Sequence, residues 1–433
     1  MTTPRFIAAG LLAAASLITT ATAATTIYIT GSTAFRSVTN AQIQTILGLA
    51  APTASTNATL GSANAVNWIG GNVGGTPVDV KAAWTGSAAG IQTVAANGGG
   101  APAVVTKFLK DAAAGTSNAD PNGATPDSPD SRTPDICMSD IFQSSSPFIA
   151  GRSIVGGGTY LALTDTTVAV VSFTFAASNG FPAGLSMNPK TMVQQFSGIG
   201  AIPIGAYSGN LADTPDATFT TVATSVVYAT GRNPISGSRI NALAETGYGT
   251  GTLVSQLKPT SSGLNGNISA MTFYPVETIN GIGTGAVGNS GENSGGNLRN
   301  FLTNTLLAGA FQNGEPGPSY LITYLGVSDF NSVKTGAAGI TKPAVEVAWN
   351  GVTFTQDRIK TGLYTFWSYE HIMWRSTLGN GTTGGPAVKL TFANSLKTNI
   401  LAASSATLSP NVALSDMRVN RSGDGGPISN PNF

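Results

Sequence analysis

A run of residues near the middle of the chain constrains the fold more than any other feature. Residues 167–175 read Thr-Val-Ala-Val-Val-Ser-Phe-Thr-Phe, a segment rich in β-branched and aromatic side chains. An apolar strand without alternation must be covered on both faces, which is typical of the central strands of α/β proteins. The chain is therefore expected to build layers of helices around a sheet.

Strand and helix signals alternate on both sides of this run. Residues 26–30 form a short predicted strand, and apolar residues recur at helical spacing over 35–49. Residues 188–196 predict a helix entered through a proline, and 224–228 predict a second buried strand. This alternation predicts α/β architecture.

Several segments lack such periodicity or give a weaker signal. Residues 51–80 are polar and glycine-rich, with Trp68 as an expected packing anchor. The stretch 281–296 has neither a Walker lysine pattern nor dinucleotide spacing, so a flexible loop is expected there, followed by a helix over 298–311. The polar end of the chain from Gly423 onward is expected to fray.

The N-terminus has the pattern of an export signal. Arg5 precedes an uncharged apolar run over 6–18, and Ala21-Thr22-Ala23 offers a small-residue cleavage site. We expect residues 1–23 to be a signal peptide and the protein to be periplasmic or secreted; a retained anchor helix is the alternative. No later stretch reaches the ~20 apolar residues that a membrane span requires.

Composition argues against several classes of function. The chain has 21 Lys and Arg residues against 20 Asp and Glu, a balance that argues against a nucleic-acid partner. Cys137 is the single cysteine, so no intrachain disulfide can form. His371 is the single histidine, which argues against His-rich metal sites and a Ser-His-Asp triad. We expect no cofactor, no metal and no enzymatic activity.

Four short clusters of small and hydroxyl residues stand where strands could give way to helices. Such turns present backbone N–H groups and the positive end of a helix dipole, so several of them together could bind a tetrahedral oxyanion. The clusters are Gly31-Ser32-Thr33-Ala34-Phe35, Gly86-Ser87-Ala88-Ala89-Gly90, Ser139-Asp140, and Arg232 with Ser236-Gly237-Ser238.

These clusters resemble the phosphate-binding proteins of ABC importers, which are two-lobed periplasmic binding proteins of type 2. The most specific match is Gly231-Arg232-Asn233-Pro234-Ile235-Ser236-Gly237-Ser238-Arg239, which keeps the family's step from Arg to Ser-Gly-Thr. The other clusters follow in the expected order, although Ala34 stands where the family has a hydroxyl residue. Arg36 follows where proline or an aromatic residue is usual, and it could either charge the site or face solvent.

The resemblance implies a phosphate site and gives each residue a task. Arg232 would clamp two oxygens with its guanidinium, and hydroxyl and backbone groups would donate the remaining hydrogen bonds. Asp140 would accept the proton of the anion and thereby reject sulfate, unless it is only a helix cap or turn residue. The implied ligand-binding residues are Thr33, Ala34, Phe35, Ser87, Asp140, Arg232, Ser236, Gly237 and Ser238.

The resulting prediction is an α/β, two-lobed periplasmic-binding-protein-like fold with a central ligand cleft. Residues 24–167 and 330–433 would form lobe one, 168–329 lobe two, and crossover strands would join them. The expected function is capture of inorganic phosphate, or a related protonated oxyanion, for an ABC permease. The alternatives are a structural or adhesive surface protein with the same fold and a secreted phosphate-handling enzyme.

Overall fold

The structure, a computed structural model, describes residues 23–96, 104–111, 130–213, 225–279, 285–307, 319–381 and 385–430. The predicted signal peptide lies almost wholly outside these residues. No helix in the described ranges is both long and apolar enough to span a membrane.

Strands and helices alternate along the described chain, which confirms the predicted α/β class. The strands are β1 (Thr25–Gly31), β2 (Ala54–Ser55), β3 (Ala65–Val73), β4 (Thr76–Ala83), β5 (Thr106–Phe108), β6 (Asp130–Arg132), β7 (Ile136–Ser139), β8 (Leu163–Ala177), β9 (Ser186–Met187), β10 (Ala201–Pro203), β11 (Val226–Ala229), β12 (Leu257–Ser261), β13 (Asn267–Phe273), β14 (Thr305–Leu306), β15 (Tyr320–Gly326), β16 (Val345–Trp349) and β17 (Trp367–Arg375). The α-helices are α1 (Arg36–Leu47), α2 (Ser87–Ala96), α3 (Pro189–Phe196), α4 (Gly205–Ser208), α5 (Gly237–Glu245), α6 (Gly295–Leu302), α7 (Val327–Asn331), α8 (Gln356–Lys360), α9 (Ala387–Ala402) and α10 (Ser405–Leu408).

One large sheet organises the molecule, with strand order β10-β11-β15-β8-β17-β7-β1-β4-β3-β2. β1 runs parallel to β4 and to β7, whereas β8 is antiparallel to both β15 and β17. The apolar run found in the sequence lies in β8, and its residues 168–177 are buried. β8 is therefore covered on both faces over this run, as its apolar composition predicts.

β8 and β17 connect the two ends of the sheet. Residues 163–172 of β8 pair with β17, and residues 173–177 pair with β15. β17 in turn pairs with β7, which lies beside β1. β16, which belongs to the predicted lobe one, pairs with the same end of β8 as β15. The division into lobes stays a prediction, and β8 is the strand that both would share.

Two segments differ from their sequence-based prediction. The helix predicted over 298–311 begins at Gly295 and ends at Leu302. The side chains of Thr303 and Asn304 both donate to the carbonyl of Asn300, at 2.8 and 2.7 Å, and so compete with continuation of the helix. The tail from Gly423, predicted to fray, is packed against the fold as far as residue 430.

The packing of α2 on the sheet leaves no room for a larger residue at Gly90. A Cβ atom there would lie 2.6 Å from Cys137 Sγ and 2.8 Å from Gly31 Cα. Gly90→Ala gains about 1 kcal/mol of helix propensity but overpacks a buried contact at about 1–3 kcal/mol. We expect a net loss of up to about 2 kcal/mol in urea denaturation. Gly251→Ala, whose Cβ would meet nothing within 4 Å, is the control and should unfold like the wild type.

Candidate functional site

Three neighbouring parallel strands deliver the first half of the site. β1, β4 and β7 end at Gly31, Ala83 and Ser139, and their carboxyl ends lie at one edge of the sheet. Ligands of open α/β sheets bind at this edge, where the loops that follow the strands converge. Ser32, Ser87 and Asp140 all lie just beyond these ends.

Ser87 and Asp140 form the closest polar contact of this edge. Ser87 Oγ donates to Asp140 Oδ1 at 2.5 Å, and the backbone N–H of Asp140 donates to Ser87 Oγ at 3.2 Å. Ser32 Oγ lies 3.5 Å from the second carboxylate oxygen, Oδ2. Two hydroxyl groups from two different strand ends therefore fix the orientation of one carboxyl group.

Burial makes the charge of Asp140 costly. The residue is 1% exposed, and loss of hydration raises the pKa of its carboxyl from 3.8 to about 6. The hydrogen bond from Ser87 and the charge of Arg232 lower this pKa, whereas nearby Asp424 raises it. Asp140 is therefore mostly ionised at neutral pH and neutral in mild acid.

The N-terminus of α5 lies directly against this carboxyl group. At Gly237, the first residue of α5, a Cβ atom would lie 1.5 Å from Asp140 Oδ1 and 2.7 Å from Ser87 Oγ. Farther along α5, Asn241 Nδ2 donates to the carbonyl of Asp140 at 2.7 Å. The loop that carries Arg232 and the Ser87–Asp140 pair thus meet, and only glycine fits at position 237.

Arg232 is held by backbone carbonyl groups. Its Nε donates to the carbonyl of Glu292 at 3.0 Å and its Nη2 to that of Asn293 at 2.9 Å. The remaining terminal nitrogen, Nη1, lies 3.5 Å from Thr33 Oγ1. These two carbonyl groups fix the orientation of the guanidinium. In this orientation Nη1 faces the loop after β1.

The positive charge of Arg232 is buried without an ion-pair partner. The residue is 2% exposed, and no carboxylate of the described residues forms a salt bridge with it. Asp329, whose charge acts on Arg232, pairs instead with Arg299 at 3.5 Å. A buried cation without a direct ion pair is costly even when carboxylates lie nearby, so this arrangement favours an anion in the same place.

Ser236 supplies a second unsatisfied group. It is the N-cap of α5, yet its side chain makes no capping hydrogen bond, and its buried Oγ has no partner among the described residues. A serine in this position ordinarily accepts a hydrogen bond from the first turn of the helix. The first-turn N–H groups, which include those of Gly237 and Ser238, have no intrahelical acceptor either.

The residues of the loop after β1 differ in their surroundings, although all three were predicted to bind the ligand. Thr33 faces Arg232, and the Cβ of Ala34 lies 3.5 Å from the position that a Cβ would occupy on Gly326 at the end of β15. The N–H of Phe35 donates to Ser32 Oγ at 3.3 Å, and its side chain is buried in the core. Phe35 therefore holds the loop in shape, and its N–H is already used by the protein.

The structure brings the predicted site residues together at one place. Ala34 is half-buried, and the others are at least nine-tenths buried. These buried residues are Thr33, Phe35, Ser87, Asp140, Arg232, Ser236, Gly237 and Ser238. Their role in binding stays a prediction. Among the described residues no group of His, Cys, Asp and Glu is arranged to hold a metal ion.

The sequence did not identify three further contributors, Ser32, Glu292 and Asn293. Ser32 was part of a predicted cluster but was not assigned to the site. Glu292 and Asn293 lie in the stretch predicted to be a flexible loop, and they act through carbonyl oxygens that every residue possesses. Arg36 is 5% exposed and donates to the carbonyl of Gly61 at 2.7 Å, so the alternative in which it faces solvent is wrong.

Glu370 is a second buried acid beside the site. It lies on β17, is fully buried, and neither carboxyl oxygen has a hydrogen-bond partner among the described residues. Burial and the charge of Asp140 raise the pKa of Glu370 well above its usual value. Burial therefore favours the neutral form of this carboxyl group.

The chain is similar in fold to several solved structures. A protein from Clostridium perfringens, described as a phosphate ABC transporter substrate-binding protein with bound phosphate, shares 12% identity over 87% of this chain and 96% of its own, with a TM-score of 0.40. An ABC-type phosphate transport receptor from Vibrio cholerae shares 11% identity over 86% and 98%, with a TM-score of 0.37. A phosphate binding protein from Stenotrophomonas maltophilia shares 12% identity over 88% and 95%, with a TM-score of 0.33.

These proteins are of the class that the motifs in the sequence resemble. No protein-family model matches the sequence, and no curated protein matches it. At such identities and TM-scores the likeness concerns the fold, and the ligand of this chain has to be argued from its own residues.

The raised pKa of Asp140 predicts a pH-dependent cost to stability. An acid whose pKa rises on folding binds more protons in the folded than in the unfolded state, so stability falls as pH rises from about 4 through about 6. Asp140→Asn removes this titration and keeps the shape. Without added anions, the variant should gain up to about 3 kcal/mol over the wild type between pH 4 and pH 8. Urea denaturation at both values measures it, and a constant difference would contradict the assignment.

Proposed function

We propose that this chain is an exported solute-binding protein that captures inorganic phosphate, or a related protonated oxyanion, for an ABC permease. The observation that carries the proposal is the buried, unpaired guanidinium of Arg232 next to the uncapped N-terminus of α5. A tetrahedral anion between them would neutralise the first and accept hydrogen bonds from the second.

The polar groups at the site match the needs of such an anion. Arg232 Nη1, Ser236 Oγ and the first N–H groups of α5 are donors that the fold leaves available or weakly used. Hydrogen bonds to charged groups contribute about 1.5–3 kcal/mol each. Three or four of them in a closed site support affinity in the micromolar range or tighter, after the costs of binding are deducted.

Asp140 supports a preference for anions that carry a proton. At neutral pH its carboxylate accepts hydrogen bonds only, so an oxyanion beside it must donate one or be repelled. Monohydrogen phosphate can donate a proton there, and fully ionised sulfate cannot. The site would therefore exclude sulfate by leaving two negative groups in contact without a shared proton.

The arrangement of strands supports capture between two lobes. Asp140 and Ser87 follow strands of one end of the sheet, and Arg232 follows β11 at the other end. β8 and β17 cross between the two ends and would bend when the site opens. Burial of the site residues supports a closed state in which the two halves of the site are in contact.

Titration calorimetry tests the proposed ligand directly. Wild-type protein should bind phosphate, and Arg232→Ala should bind it at least about 30-fold more weakly because a buried charge pair loses one partner. Arg132→Ala removes one exposed arginine on β6, away from the site, and should leave phosphate binding unchanged. Absence of phosphate binding in the wild type, or equal binding in the Arg232→Ala variant, would overturn the proposal.

The selectivity attributed to Asp140 has its own test. Asp140→Asn places an amide that can donate a hydrogen bond where the carboxylate only accepts. We expect this variant to bind sulfate at pH 8 at least about tenfold more tightly than the wild type does. The same titration should show a smaller ratio between phosphate and sulfate affinities. If sulfate stays excluded, Asp140 does not determine the selectivity of the site.

A further inference from the structure

The C-terminal segment 418–430, which we call the strap, crosses behind the site. Its two ends are hydrogen-bonded to each other, because Asn420 and Ser429 exchange backbone hydrogen bonds at 2.8 and 2.9 Å. The strap therefore forms a closed loop, and its middle residues reach into the protein.

One side of the strap binds the turn that carries Asp140. Asp424 Oδ2 accepts a hydrogen bond from the backbone N–H of Phe142 at 2.9 Å. Phe142 is two residues beyond Asp140, and its ring packs on that of His371 with centroids 4.4 Å apart. The strap is thus fixed to the half of the site that contains Ser87 and Asp140.

The other side of the strap binds the end of α5. Gly425 has a φ of 65°, and a Cβ there would lie 2.3 Å from the carbonyl oxygen of Ala244. Arg421 Nη1 forms a salt bridge with Glu245 at 3.0 Å, and both side chains are at least nine-tenths buried. α5 begins at Gly237, so the strap is fixed to the helix whose N-terminus faces Asp140.

Arg421 anchors the strap on the strand between these two attachments. Its Nη1 donates to the carbonyl of Trp367 at 3.1 Å and its Nη2 to that of Thr365 at 2.7 Å. Its guanidinium also lies 4.0 Å from the centroid of the Trp367 ring. A buried arginine whose two terminal nitrogens are both hydrogen-bonded makes this a specific attachment, unlike a tail that merely lies on the surface.

We propose that the strap is a latch that holds α5 against the Asp140 turn and thereby sets the rate at which an anion enters and leaves. Arg421 and Asp424 are positioning residues that act through Glu245 and Phe142. To withdraw Gly237 from Asp140, α5 must move away from the Asp140 turn, and the strap is attached to both. The latch rests on these contacts alone, whereas the identity of the anion rests on the proposed function.

Two glycines of the strap give a matched pair of variants. Gly425→Ala forces a Cβ into the backbone of Ala244, whereas at Gly423 a Cβ would meet nothing within 4 Å. Hydrogen–deuterium exchange of the ligand-free protein should become faster at 140–145 and 237–246 in Gly425→Ala only. Stopped-flow measurements should show phosphate release from Gly425→Ala about tenfold faster, with the association rate unchanged or higher.

A second pair keeps the test decisive if Gly425→Ala fails to fold. Asp424→Ala removes the acceptor for Phe142 and should release phosphate faster, and Asp424→Asn keeps one oxygen and should restore the wild-type rate. Exchange and release rates that match the wild type in both Gly425→Ala and Asp424→Ala would overturn the latch. If the wild type binds no phosphate, the proposed function fails, and the exchange measurement alone decides on the latch.

Discussion

Burial of the Arg232 guanidinium governs the architecture around the site. Two carbonyl groups, from Glu292 and Asn293, orient this side chain but leave its charge uncompensated. The acids whose charges act on Arg232, Asp329 and Asp140, form no salt bridge with it, because Asp329 pairs with Arg299 and Asp140 is held by Ser87. The fold therefore maintains a positive position in its interior, which is costly for an empty protein and favourable for one that holds an anion.

In the proposed function, Asp140 limits which anions can bind. Hydroxyl groups of Ser87 and Ser32 orient its carboxyl group, and the first residue of α5 packs against it. The Asp140 side chain therefore cannot rotate away from a bound ligand. Because the pKa of this carboxyl group is about 6, its protonation state changes close to physiological pH. In the proposed function, a fixed cation, a fixed and titratable acid, and the N-terminus of a helix would together specify both the charge and the protonation of the ligand.

The clusters at strand ends, together with the family that they resemble, predicted the side chains that the structure brings together. The turns with Ser87, Asp140 and Ser236 follow strand ends, and strand ends meet at one edge of a parallel sheet. Contacts through the backbone left no such signal, so the support from Glu292 and Asn293 was missed. The strap was misjudged for a related reason. Its Gly, Ser and Asp residues are typical of frayed tails, yet Gly425 is required for close packing on Ala244.

β8 gives the two ends of the sheet a common mechanical element. It is a single strand of 15 residues whose first part belongs to one end and whose last part belongs to the other. Its middle is fixed as well, because Val170 exchanges backbone hydrogen bonds with Val412 at 2.9 Å. Neither end can rotate as an independent body joined by a loose linker. Relative motion of the two ends has to twist β8 along its length. The elastic energy of the twisted strand would then favour return to the original arrangement.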